Sequence, residues 1–245
     1  MTFEDHFSGV AGAYAANRPE WPPELADELA ARSPGRSLAW EAGCGSGQLS
    51  TLLGDRFERV LASDASSEQL ALARLHPRVE YRVARAEDPS GLLPASVDLC
   101  VAAQAAHWFR LDAYYAEVRR VGRPGGVVAL ITYGNPVVDD EVAAPLAALV
   151  AAVMEHWPSN RAAVDRLYAD LPFPFPEESL PSLAVTARWR VERYLGYAGT
   201  WSSTQAFVRA RGAEPLAPLH AALRRAWGPG PRTVRWPIGG RLGRI

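Results

Sequence analysis

The feature that most constrains the fold is the segment 38–49, LAWEAGCGSGQL, in which an apolar run ends in an acid and three glycines follow at alternate positions. Because glycine has no Cβ, Gly43, Gly45 and Gly47 allow left-handed backbone and let N–H groups approach a ligand closely. In open α/β sheets, such a loop follows the first strand and ligands bind beyond the carboxyl ends of the strands. We therefore expect a ligand loop between a first strand and a first sheet-covering helix.

The spacing of the apolar runs predicts the rest of the sheet. Five short runs alternate with segments of helical character, which is typical of β-α units and a mainly parallel sheet. These runs are 37–40, 59–63, 79–84, 97–103 and 127–133. A capping box of Ser66 and Gln69 predicts the start of a helix whose apolar residues are Leu70, Leu72 and Leu75. A second helix should run from Leu111 to Gly122.

The pattern changes after residue 133. An Ala-rich helix at 139–154 is followed by a Pro-rich stretch, a half-buried strand in 183–194, two helical segments and a last short strand at 233–238. No internal repeat or low-complexity linker interrupts the chain, so we expect a single domain. Its predicted parts are a lid and first helix at 1–36, a cofactor-binding core at 37–135, and a cap with the last two strands at 136–245.

Composition narrows the classes of protein. The 245 residues contain no run of 18 apolar residues, and the first ten include acids where a signal peptide is basic and apolar, so we expect a cytoplasmic protein. The two cysteines, Cys44 and Cys100, fit neither a disulfide framework nor a metal spacing. We therefore expect neither a metal site nor redox chemistry.

Charge is unevenly distributed along the chain. The net charge is −1, but residues 184–245 carry eleven arginines against only Glu192 and Glu214, a balance of +9, and all 26 basic residues are arginine. This surplus indicates either a site for an anionic partner or an internal contact with the acidic part of the chain. Both interpretations stay open.

The glycine register separates two kinds of cofactor. A dinucleotide fingerprint needs G-x-G-x-x-G, but the register from Gly43 places Gln48 at its last position. The acid at Glu41 would repel a pyrophosphate and suits an ammonium group or another donor. Glu41-x-Gly43-x-Gly45-x-Gly47, with Asp64 after the second apolar run, resembles the S-adenosylmethionine-binding motifs of class I methyltransferases.

The resemblance implies a fold and a set of cofactor contacts. The implied fold is a Rossmann-like, seven-stranded, mainly parallel α/β sheet with helices on both faces, an N-terminal helical lid and a C-terminal helical cap. The loop would contact the amino-acid part of S-adenosylmethionine, Asp64 the ribose hydroxyls, and Ala86 and Glu87 the adenine. On the residues alone, Asp64 could instead be a helix-start residue and Glu87 a solvated loop acid.

The segment AAQAAHWF after the fourth run strengthens the likeness to the small-molecule branch, which includes trans-aconitate methyltransferases. There, Gln104 would lie under the methionine part, and Trp108 would line the acceptor pocket. His107 is the candidate catalytic base if the acceptor is a hydroxyl or phenol, because its ordinary pKa is near neutrality. The alternative is a structural histidine.

Both ends of the chain add candidate residues. The resemblance implies that Tyr14 covers the sulfonium and that Arg18 holds the cofactor carboxylate. The alternatives are that Tyr14 packs on an amphipathic helix and that Arg18 is a surface cation. Trp201 is the candidate substrate-binding residue of the C-terminal part. It belongs to an aromatic group that could equally be core: Trp189, Tyr194, Tyr197 and Trp201.

These features together predict methyl transfer from S-adenosylmethionine to a small molecule, with O-methylation of a carboxylate, phenol or hydroxyl favoured. One alternative is an S-adenosylmethionine-binding protein that catalyses another reaction or serves as a binding module, and a weaker one is an NAD-dependent oxidoreductase. A nucleic-acid substrate is disfavoured by the net charge of −1. The oligomeric state is left open.

Overall fold

The computed structural model describes residues 18–89, 91–158 and 160–245. The predicted lid contact at Tyr14 lies outside these ranges. Every helix within them is too short or too polar to span a bilayer.

An eight-stranded sheet forms the centre of the molecule. In chain order its strands are β1 (Leu38–Ala42), β2 (Arg59–Asp64), β3 (Val79–Val83), β4 (Val97–Ala103), β5 (Gly122–Tyr133), β6 (Glu177–Glu178), β7 (Ala184–Trp189) and β8 (Arg232–Arg244). The spatial order is β3-β2-β1-β4-β5-β8-β6, and β7 also pairs with β8. The first five strands are mutually parallel, whereas β8 runs antiparallel to its neighbours.

Helices cover both faces of this sheet. They are α1 (Pro23–Arg32), α2 (Gln48–Gly54), α3 (Ser67–Leu70), α4 (Leu111–Val121), α5 (Asp140–Val153), α6 (Arg161–Asp165), α7 (Val191–Gly199), α8 (Ser202–Arg211) and α9 (Ala217–Trp227). Two separate apolar clusters result, because alternate side chains of a strand point to opposite faces. In β1, Ala39 belongs to the cluster with α1 and α2, and Trp40 to the cluster with α4.

The topology fixes where a ligand can bind. β1 pairs with β2 on one side and with β4 on the other, so the order of the strands reverses between β1 and β4. A crevice opens at such a point, beyond the carboxyl ends of the strands. The loops that follow β1 and β4 therefore face each other across it.

Several predicted bounds need correction. The predicted helix through Leu75 ends at Leu70, and Leu75 is 95% exposed. The reason is that the backbone N–H of Arg74 donates to the carbonyl of Ser46 at 3.1 Å, which turns the chain toward the glycine loop. β5 begins at Gly122, earlier than the predicted run at 127–133. Three helices, where two were predicted, lie between β7 and β8. The sheet has eight strands instead of seven, because Glu177 and Glu178 pair with β8.

Ion pairs absorb part of the C-terminal positive charge. Arg232 pairs with Asp139 and Glu141 at 2.5 and 2.6 Å, and three further pairs are Arg241–Glu177, Arg244–Glu178 and Arg224–Glu192. The predicted pocket aromatics Trp189, Tyr194, Tyr197 and Trp201 are all buried in the apolar core. Arg232, Arg241 and Arg244 thus contact acids of the preceding segment, in agreement with the internal-contact interpretation for these three, whereas Arg224 pairs within the tail.

Candidate functional site

A cavity of about 660 Å³ occupies the crevice between β1 and β4. Its walls come from the loop after β1, the end of β2, the turn after β3, the segment after β4 and the end of β5. Twelve of the thirteen predicted site residues fall within the described ranges, and Tyr14 lies outside them. Nine of the twelve line the cavity: Arg18, Glu41, Gly43, Gly45, Asp64, Ala86, Glu87, Gln104 and Trp108.

The three described residues that do not line the cavity are Gly47, His107 and Trp201. Nine residues predicted from the sequence therefore line the same cavity.

The glycine loop is shaped by left-handed backbone. Gly43, Gly45 and Gly47 have φ of 69°, 53° and 77°, a region that side chains with a Cβ rarely adopt. A Cβ on Gly43 would lie 2.5 Å from the Cβ of Ala105, and one on Gly47 would overlap the hydroxyl of Tyr81. At Gly45 the nearest atom would be 3.8 Å away, so the space in front of this residue is open.

Glu41 is a buried acid at the base of the loop. Its carboxylate accepts a hydrogen bond from the hydroxyl of Ser50 on α2. The pKa of Glu41 is raised to about 8, chiefly by burial; the Ser50 hydrogen bond acts in the opposite direction, and the nearby charge of Asp64 contributes to the rise. The carboxyl group is therefore poised to ionise when a cation binds beside it.

Asp64 ends β2 and holds the loop in place. Its Oδ2 accepts from the backbone N–H of Gly45 at 2.8 Å, and its Oδ1 accepts from the backbone N–H of Ser66 at 2.9 Å. A carboxylate has about four acceptor positions, more than these two backbone bonds occupy. Asp64 thus begins the turn into α3, as the helix-start alternative expected, and also faces the cavity.

The turn after β3 brings Ala86 and Glu87 to the cavity. Ala86 is buried, and the carboxylate of Glu87 accepts from the backbone N–H of Arg110 at 2.8 Å. Its other oxygen lies 3.3 Å from Nε of Arg85. Glu87 therefore connects this turn to the segment after β4, rather than standing alone as a solvated loop acid.

Gln104 follows β4 in a left-handed conformation, with φ of 57°. Its side chain is tied to β5, because Nε2 donates to the carbonyl of Tyr133 and Oε1 accepts from the hydroxyl of Thr132, each at 3.0 Å. Such backbone is uncommon outside glycine and concentrates at functional sites. These bonds fix the sharp turn that sets Ala105 against Gly43.

His107 lies behind the wall formed by Trp108. The two ring centroids are 5.1 Å apart, and Nδ1 of His107 is 2.7 Å from the hydroxyl of Tyr168. The pKa of His107 is lowered to about 3, chiefly by burial, with smaller contributions from the charges of Arg161 and Arg18. The imidazole is therefore neutral at physiological pH, and its predicted role as a base stays a prediction.

The predicted residues from the two ends of the chain take different places. Arg18 lines the cavity, and its Nη1 is 3.4 Å from the hydroxyl of Tyr133. Trp201 instead packs in the core, with ring centroids 6.0 Å from Trp157 and 5.6 Å from Tyr197. Trp201 therefore does not line this cavity, and the acceptor contact predicted for it stays a prediction.

Sequence reasoning missed other residues of the cavity. Trp21 lines it and packs against Tyr133 with ring centroids 5.2 Å apart, while Phe109 and Gln69 complete its walls. A tryptophan three residues after Arg18 was the available signal for Trp21. Gln69 carried no such signal, because the capping-box pattern accounted for it fully.

Comparison with known proteins agrees with this geometry. The family profile described as "Methyltransferase domain" matches residues 40–130. A solved structure from Anaeromyxobacter dehalogenans, provisionally assigned as a type II methyltransferase, is 49% identical, covers 93% of this chain and 97% of its own, and has a TM-score of 0.87. The chain belongs to the S-adenosylmethionine-dependent methyltransferases.

Two further relatives support the assignment. A provisionally assigned methyltransferase of Dictyostelium discoideum is 29% identical over 92% of this chain and 87% of its own length. A Saccharomyces cerevisiae protein, provisionally assigned as an S-adenosylmethionine-dependent methyltransferase, is 31% identical over 49% of this chain and 44% of its own length. The enzyme class and its cofactor, S-adenosylmethionine, are thereby established, and the Rossmann-like fold is confirmed.

Proposed function

We propose that this methyltransferase acts on an oxygen atom of a small anionic acceptor, with a carboxylate as the preferred group. The proposal combines the polar groups that suit the cofactor with the lowered pKa of His107, which lies behind Trp108. A cavity of about 660 Å³ is within the range of small-molecule sites.

The residues present fit S-adenosylmethionine. The cofactor offers an ammonium, two ribose hydroxyls and an adenine amino group, all of which donate hydrogen bonds, and three acids line the cavity: Glu41, Asp64 and Glu87. The open space in front of Gly45 lets a ligand approach the loop backbone. When bound, the cofactor supplies a methyl group activated by its sulfonium charge.

Each of these residues has a proposed role. Glu41 would face the ammonium, Asp64 the ribose and Glu87 the adenine amino group, with Ala86 packing beside the ring. Arg18 would hold the cofactor carboxylate as a fork. Gln104 acts through the backbone, since its bonds to β5 fix the wall beside the reacting end of the cavity.

The observation that carries the choice of acceptor is the environment of His107. A buried imidazole with a pKa of about 3 is a weak acceptor for the proton of a hydroxyl or phenol near neutral pH. A carboxylate needs no base, because it is already ionised.

Paired substrates test this proposal. The enzyme would be incubated with S-adenosylmethionine and small acids, each beside its neutral amide, and the products would be weighed for one added methyl group. We expect the acids to be methylated and the amides not. Preference for the amides, or methylation of RNA or protein alone, would contradict it.

A further inference from the structure

The C-terminal part of the chain keeps positive charges that the fold does not neutralise. Of the eleven arginines at 184–245, four pair with acids and seven pair with none in the described ranges. The seven are Arg188, Arg190, Arg193, Arg209, Arg211, Arg225 and Arg235. The internal contact therefore accounts for part of the surplus, and the interpretation of an anionic partner stays open for the rest.

Two of these arginines stand on one face of the ribbon that β7 forms with residues 232–237 of β8. The register places Thr186 opposite Arg235 and Arg188 opposite Thr233. Opposed residues share a face, and residues two apart on a strand share it too, so these four side chains lie on the same face. All four are exposed. Arg188 and Arg235 are therefore diagonal neighbours, about 7–8 Å apart.

The outer edge of β7 presents a backbone ladder. On β8, the N–H of Arg235 donates to the carbonyl of Val137 at 2.9 Å, and its carbonyl accepts from the N–H of Val137 at 2.7 Å. Both groups of Arg235 thus point away from β7, so Thr186, which lies opposite, forms no bond with it. The N–H and carbonyl of Thr186 point away from β8, as do those of Ala184 and Arg188 two residues away. No hydrogen bond to another part of the described chain uses these groups.

The charges on this edge decide which extended segment fits it. An open ladder can accept a further strand from another chain, whereas charged side chains at an edge keep unsuitable strands away. Two copies of this chain joined along β7 would bring the arginines of both copies together, and like charges repel. An acidic strand meets the same arginines with attraction, so charge complementarity favours an acidic partner over a second copy.

We infer that β7 docks an extended acidic segment of another protein as an additional strand. The segment would bond the outward N–H and carbonyl groups of Ala184, Thr186 and Arg188, and its carboxylates would lie on the face that carries Arg188 and Arg235. These residues do not line the cavity, so the docking edge is separate from the cofactor site. It goes beyond the proposed function, because it concerns a protein partner and not the methyl acceptor.

Fluorescence anisotropy with a labelled, end-capped peptide of alternating glutamate and valine tests the docking edge at low salt. We expect binding that weakens about fivefold when Arg188→Gln and Arg235→Gln are combined, because two partly exposed ion pairs are lost. Arg209→Gln combined with Arg225→Gln is the matched control, since it removes the same charge from exposed arginines outside the ribbon and should change affinity less than about twofold. Equal losses in the two double variants, or no binding by the wild type, would overturn the assignment.

Two further arms separate strand pairing from charge alone. The same peptide with every amide N-methylated keeps its carboxylates but cannot form a ladder, and the version with lysine in place of glutamate keeps the ladder, so neither should bind. Thr186→Pro removes only an outward N–H, a position where an edge strand tolerates proline, and should weaken the glutamate peptide while thermal unfolding stays near that of the wild type. If Thr186→Pro does not fold, the N-methylated peptide answers the same question.

Three results would overturn the acidic segment as occupant. The first is equal binding of the N-methylated or the lysine peptide. The second is a dimer of the free wild type, seen by analytical ultracentrifugation, that Thr186→Pro dissociates, because a second copy would then cover the edge. The third is an RNA oligonucleotide that binds in place of the peptide with the same loss in the Arg188 and Arg235 double variant.

Discussion

Replacing Glu41 by glutamine should remove a large pH dependence of stability. The carboxyl group is buried and its pKa is raised from the ordinary 4.5 to about 8. In the folded protein it therefore keeps a proton that the unfolded chain has already released. Folding takes up this proton between pH 4.5 and 8, so the stability of the folded state must fall as the pH rises.

The pKa difference sets the size of the effect. The contribution of protonated Glu41 is fully present below pH 4.5 and is lost as the pH rises through 8. A difference between 4.5 and about 8 corresponds to about 5 kcal/mol in the free energy of unfolding. Since domains are stable by only about 5–15 kcal/mol, the ligand-free protein should be much weaker at pH 9 than at pH 6.

Urea unfolding of the wild type and Glu41→Gln at several pH values measures this. The difference between the two proteins isolates Glu41 from other groups, including His107, whose lowered pKa acts in the opposite direction below pH 6.5. We expect the wild type to lose stability relative to the variant steadily from pH 5 to pH 8. A constant difference across this range would refute the buried, protonated state of Glu41.

Three further predictions concern the same cavity. Binding of S-adenosylhomocysteine near pH 7 should release about one proton from the wild type and none from Glu41→Gln, because the ligand ammonium favours the ionised carboxyl group of Glu41. Calorimetry in two buffers of different ionisation enthalpy measures the number of protons released. Gly43→Ala should lower the free energy of unfolding by about 2–4 kcal/mol, and Gly45→Ala by about 1 kcal/mol. The difference is expected because the new Cβ at Gly43 would lie 2.5 Å from the Cβ of Ala105, whereas the space at Gly45 is open; urea titration of both variants measures it. Asp64→Ala should weaken S-adenosylhomocysteine by about 2 kcal/mol and Asp64→Asn by less, because the amide keeps one acceptor; equal affinity of both variants and the wild type would contradict a ribose contact.

The sheet was predictable because its strands are short apolar runs bounded by turn residues. β4 is buried along its whole length, so its run at 97–103 has both ends in the predicted place. The glycine loop was predictable for a related reason, since alternate glycines have few uses other than left-handed backbone near a ligand. These features depend on local sequence, and the structure confirms them.

Other features depend on contacts between distant segments. The apolar spacing of Leu72 and Leu75 resembles a helix face, but the bond from Arg74 to Ser46 ends α3 early, and no local pattern encodes it. The burial of Trp201 likewise depends on its packing against Trp157. Gln69 was missed because its environment depends on Asp64 taking the N–H of Ser66.

The central claim is methyl transfer to the oxygen of a small acid, and the chemical form of the product tests it most directly. The enzyme would be incubated with S-adenosylmethionine carrying a tritiated methyl group and the low-mass fraction of a bacterial extract. Mild hydroxide would then be added, because it cleaves methyl esters and leaves methyl ethers and amines intact. We predict that label enters small molecules and is released as volatile methanol. Label that resists hydroxide, or that enters only protein or nucleic acid in whole extract, would contradict the account.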